Sequence, residues 1–142
     1  MWNKLNQEEY SADFEISKRY IDFSAELLRL SIVAITGLGT FFISIIKNGP
    51  IPNSYNWFYI AIILFALTIG SALAHRFFAT DCLSYLIAYL RKDSQDEKEG
   101  MIKLLKRAER FLILTEWLFG IAIMVTIIAF FSMEPVIFNA KP

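Results

Sequence analysis

Few side chains in this sequence can make or break bonds. There is a single histidine, His75, and a single cysteine, Cys82. They are seven residues apart, so on a helix they share a face at a separation of about two turns. A Cys–His nucleophile pair needs contact within about 3 Å and a third group to orient the imidazole. This spacing is too long for one. One cysteine and one histidine also exclude an internal disulfide and a multi-ligand zinc site within one chain. No glycine-rich phosphate loop is present, nor any Ser or Asp cluster with catalytic spacing. The expectation is a protein that is not an enzyme, with no catalytic residues, no metal and no cofactor. Cys82 reads as a small packing residue.

The residues with consequences are ions inside apolar sequence. Glu116 interrupts the run Phe111–Met133 about five residues from its start, a depth of about 8 Å by helical rise. A carboxylate at that depth pairs with a cation, faces water or snorkels to the interface. Arg76 and His75 close a second apolar run, and Arg29 stands near the start of a first. All four residues can occupy one layer. The first expectation is a structural ion pair of Glu116 with Arg76 or Arg29. The alternative is a charged ring at a pore mouth.

These ions need elements to hold them. The chain has 142 residues, enough for one domain. Its hydrophobic fraction is 56%, its charged fraction 20% and its formal net charge zero. That balance excludes a basic nucleic-acid binder and a disordered tail. The apolar residues are concentrated in Leu27–Ile46, Trp57–Ala74 and Phe111–Met133. About 20 such residues cross a bilayer core as a helix. The reading is an all-α, helical integral membrane protein with spans at 27–46, 57–79 and 111–133. An amphipathic helix is expected over 4–26, where Phe14, Ser17, Ile21, Ser24 and Leu28 recur between charges. The second span should run on to 92. The polar stretch 93–100 should break the chain before a helix over 98–110 that continues into the third span. Two long helices would then project from the membrane beside the N-terminal one. The first span begins only after 26 residues and lacks the layout of a cleaved signal peptide.

Three spans put residues 1–29 and 76–110 on one side, with twelve Lys and Arg, against two on the other. The positive-inside rule makes the first side cytoplasmic. The N-terminus is therefore expected inside an inner (plasma) membrane and the C-terminus outside. Asn48-Gly49-Pro50 makes a turn, and Tyr55, Trp57 and Tyr59 suit an interfacial belt. Thr36, Gly37, Gly39, Thr40 and Ser44 in the first span, and Gly70, Ser71 and Ala74 in the second, are small or polar groups that suit helix contact, the smallest letting helices approach closely. They suggest packing within the hairpin or between copies, and a homo-oligomer is expected. The cytoplasmic helices could dock a soluble protein; nucleic acid is not an expected partner.

Residues 5–92 run amphipathic helix, span, short turn, span, amphipathic helix, with Ala74-His-Arg-Phe-Phe-Ala-Thr-Asp-Cys-Leu-Ser-Tyr-Leu-Ile-Ala-Tyr-Leu-Arg91 carrying the second span onward. This layout, over roughly two-thirds of the chain, resembles the SLATT domains, small two-span effectors of bacterial conflict and antiphage systems. The resemblance implies oligomers that perforate or depolarise a membrane when a partner senses infection. The function expected is thus an oligomeric pore or channel-like protein that alters membrane permeability. The alternative is a non-catalytic accessory or scaffold protein.

Overall fold

The computed structural model describes residues 7–48, 55–92 and 95–138, which form three helices: α1 (Gln7–Asn48), α2 (Tyr55–Lys92) and α3 (Gln95–Phe138). Each contains a segment long and apolar enough to cross a membrane, within Phe14–Lys47, Tyr55–Leu90 and Lys98–Ser132. Large apolar side chains point outward along all three, Val33, Ile63, Trp117, Met124 and Phe131 among them. So much outward apolar surface suits hydrocarbon rather than water.

Two boundaries differ from the sequence reading. The amphipathic segment and the first span are one unbroken helix rather than two elements. No Gly or Pro stands between residues 7 and 36, so nothing interrupts the hydrogen-bond ladder. Along it Ser24 is buried and Phe14, Ser17, Ile21 and Leu28 are half-buried, while Ile16, Tyr20 and Phe23 are exposed. The break expected over 93–100 is also shorter, because α3 starts at Gln95 and takes in Gly100. A Cβ at Gly100 would lie 3.0 Å from the Tyr85 ring of α2. The ring packs over Gly100, which lies inside α3 rather than at its end. Residues 4–6 and the turn at 49–54 lie outside the described residues.

Helix α2 is the centre of the bundle. Its buried positions Phe58, Ala61, Phe65, Thr68, Ala72, His75, Ala79 and Cys82 alternate in steps of three and four. That 3.5-residue average is the coiled-coil repeat, in which two faces stay in register over many turns. Ala108, Leu112, Thr115, Ala122 and Ala129 answer it on α3, and Ser24, Leu27, Ser31 and Leu38 on α1. Alanine and serine at these positions let helices close tightly, which is what drives association where lipid removes the hydrophobic term. Antiparallel α2 and α3 pack along their lengths. Contacts run from Tyr85 on Gly100, through Phe78 stacked on Phe111 at 5.4 Å, to Phe65 against Phe119 and Phe58 against Phe130. Helix α1 lies against α2 and meets α3 only slightly, with Phe41 and Phe130 5.1 Å apart.

Candidate functional site: a polar layer, a charged collar and an exposed polar stripe

The bundle core changes character along its length. Towards the α1–α2 turn it is aromatic: Phe41, Phe58 and Phe130 make three mutual ring contacts of 5.1–5.8 Å. Phe58 is fully buried among them. The contacts are edge-on or tilted, as ring quadrupoles prefer. This cluster ties the three helices together at that end, with Phe58 at its centre and Phe130 exposed at its edge.

Further along, the core is polar. Ser24, Ser31, Thr68, Ser71, His75 and Thr115 are all buried. Most satisfy themselves within their own helix: Ser31 donates to the Leu27 carbonyl at 2.7 Å and Thr68 to Leu64 at 2.8 Å. Ser71 reaches across to α3 and donates to the Phe111 carbonyl at 3.0 Å. Thr115 has one proton and two acceptors in reach, the Phe111 carbonyl at 2.7 Å and Ser71 Oγ at 3.0 Å. Cys82 packs its thiol 3.7 Å from the Met101 carbonyl. His75, expected in the charged layer, is instead only 3% exposed, and its Nδ1 has no hydrogen-bond partner among the described residues.

The charged collar surrounds this layer. The Thr115–Ser71 contact sets Glu116 level with Gly70. The Phe41–Phe130 contact between parallel α1 and α3 sets it level with Leu27. Arg29 is then within about 3 Å of Glu116 in height. The expected pair does not form inside the chain, however. Arg29 donates to Glu26 Oε1 at 2.8 Å, an exposed partner on its own helix. Arg76 is exposed, and no described residue forms an ion pair with it or with Glu116. The physical reason is rotational. Glu116 shares a face of α3 with Ile123, seven residues on, and points out of the bundle beside Trp117 and Gly120.

The small residues also separate into two groups. Ser71 is buried and Ala74 half-buried, whereas a Cβ at Gly37, Gly39 or Gly70 would meet nothing within 4 Å. Within one copy, close helix approach belongs to the seam alanines, and these glycines leave space open. Gly37 borders a groove of about 310 Å³ between α1 and α3, with Ala34, Leu38, Phe65, Ile123, Thr126 and Ile127.

Thr36, Thr40 and Ser44, expected at helix contacts, lie instead on an external polar stripe of α1. Arg29, Thr36, Thr40, Ser44 and Lys47 are all exposed. Their spacings of seven, four, four and three keep them on one side of the helix, over about 27 Å of rise. Thr36 and Thr40 donate to the carbonyls four residues back, at 2.9 and 2.8 Å, leaving oxygen lone pairs outward. The spacing was visible in the sequence. What was missing was the direction of the buried face. No family model, curated protein or solved structure matches this chain.

Proposed function

We propose that copies of this chain assemble in a membrane into a pore that changes its permeability, with α1 turned towards the conducting path. The α1 stripe carries this reading. A span that presents Thr36, Thr40 and Ser44 outward, with Arg29 and Lys47 at its two ends on the same side, offers lipid a polar line, and polar groups in spans normally face a bundle interior or water. In a ring of copies the same side faces the lumen. The aromatic cluster of Phe41, Phe58 and Phe130 argues that the path runs between copies rather than through one. The SLATT-like layout agrees with this reading, and a defence effector is the biological role it favours. No catalytic step, metal or cofactor enters.

The distribution of Lys and Arg supports an inner-membrane orientation with the N-terminus cytoplasmic and the C-terminus outside. The ends of the helices beyond the collar then project into the cytoplasm. Ile16, Tyr20 and Phe23 on α1 and Leu105 on α3 are exposed there. They favour a second reading, in which this end docks a soluble partner, either to trigger the pore or as the whole purpose of an accessory protein.

The test is mass and flux together. Detergent-purified protein should have a protein mass several times the 16.4 kDa of one copy, and liposomes containing it should lose a trapped ion gradient. A monomer, or an oligomer that leaves the gradient intact, would favour the accessory reading.

A further inference from the structure

Glu116 is a carboxylate on the outward side of α3, within a segment suited to hydrocarbon, with no ion pair to a cation among the described residues. An ion in that setting requires a partner. Arg29 is held by Glu26 at 2.8 Å, and Arg107 lies over the Phe78 ring at 5.9 Å from its centroid. Arg110 is exposed at the depth of Arg76, but on α3 its side chain tilts towards the helix N-terminus, away from Glu116. Arg76 is exposed on α2; its backbone carbonyl accepts from Thr80 at 2.8 Å, and its guanidinium has no carboxylate partner among the described residues.

We infer that Glu116 of one copy pairs with Arg76 of a second copy, so that the α3 face of each protomer docks on the α2 face of the next. This rests on the assembly proposed above and specifies its contact. The argument is charge complementarity at fixed height. Copies related by an axis along the membrane normal keep every residue at its own depth. Glu116 is level with Gly70, so Arg76 lies six residues nearer the charged end, about 9 Å by helical rise. Side chains tilt towards the N-terminus of their own helix. Because α2 and α3 are antiparallel, Arg76 tilts down towards Glu116 and Glu116 tilts up towards Arg76. Two long side chains leaning together span that gap. One turn past Glu116, a Cβ at Gly120 would meet nothing within 4 Å, and the surface around it is concave, bounded by Trp117, Ile121 and Met124. A neighbouring helix can approach there. A contact between two different faces is head-to-tail and closes into a ring when the rotation per copy allows. It leaves the α1 stripe out of the contact.

The test uses charge reversal in full-length chains carrying two different tags, with co-purification from detergent as the readout and helicity as the check on folding. Glu116→Lys or Arg76→Glu alone should cut co-purification at least about five-fold, since each sets like charges together at every junction. Glu116→Gln, which keeps the shape, should lose less. Mixing Glu116→Lys chains with Arg76→Glu chains should restore assembly, because alternate copies rematch Lys with Glu and Glu with Arg. Rescue only when both substitutions share one chain would place the pair inside a protomer and overturn the inference, as would wild-type assembly of either single variant. A monomeric wild type would overturn the assembly reading itself and this contact with it.

Discussion

Ser71 and Thr115 look like equal members of one buried hydroxyl pair, yet removing them should not cost the same. Ser71 Oγ spans the gap between helices, donating to the Phe111 carbonyl at 3.0 Å. Thr115 puts its proton into the same carbonyl at 2.7 Å, but from its own helix, four residues on. Ser71→Ala therefore deletes a tie between α2 and α3. Such bonds inside membrane proteins average about 0.6 kcal/mol, with a maximum near 1.7. The packed position of Ser71, 6% exposed, gives water little chance to replace it, so the expected loss is about 1 kcal/mol. Thr115→Val keeps the shape and leaves the Ser71–Phe111 bond in place, so the loss should stay under about 0.5 kcal/mol. The double variant should cost close to the sum, with a coupling under about 0.5 kcal/mol, because neither hydroxyl needs the other to reach Phe111. Reversible unfolding in mixed micelles, followed by helical circular dichroism, measures all three. A Thr115→Val loss larger than that of Ser71→Ala, or a coupling above about 1 kcal/mol, would show that the Thr115–Ser71 contact at 3.0 Å is the bond that matters, and would refute the reasoning.

Two further outcomes can be checked by the same unfolding assay. Phe58→Ala removes two ring contacts, with Phe41 at 5.8 Å and Phe130 at 5.5 Å; the loss should be about 2–3 kcal/mol, below the usual ~3–5 of water-soluble cores because lipid is as apolar as the site. Gly100→Ala should gain up to about 1 kcal/mol of helix propensity, because the Tyr85 ring that its Cβ would meet at 3.0 Å belongs to a side chain 44% exposed and free to give way; a net loss would mean that the ring is held fast.

The three helices were legible because charge-free runs of span length leave few other solutions, and α2 could be followed to residue 92 because no Gly or Pro stops it. The same logic applied to residues 7–36 would have joined the N-terminal segment to the first span. Its polarity changes at the junction, which suggests two elements, but polarity does not break a helix. Gly100 was misread for the opposite reason. Glycine after a polar run resembles a stop, but α3 starts at Gln95 and runs through it. The seam was written in the steps from Phe58 to Cys82, but in a span almost every residue is apolar, so the buried stripe has little contrast against the lipid-facing one. That also hid the side on which Glu116 and the α1 hydroxyls lie. Gly37, Gly39 and Gly70 drew attention as small residues, whereas Ala61, Ala72, Ala79, Ala108, Ala122 and Ala129 form the close contacts within the chain.

The central claim is that α1 faces a conducting path formed between copies. A cysteine scan of α1 in a Cys82→Ser background, with flux from liposomes read before and after a water-soluble thiol reagent, tests it most directly. The account predicts block at positions 36, 40, 44 and 47, and none at Ile63 on α2 or Phe131 on α3, which point outward on the other helices. Flux that is equally insensitive at all of these positions, or blocked at Ile63 and Phe131 while the α1 stripe is silent, would contradict it.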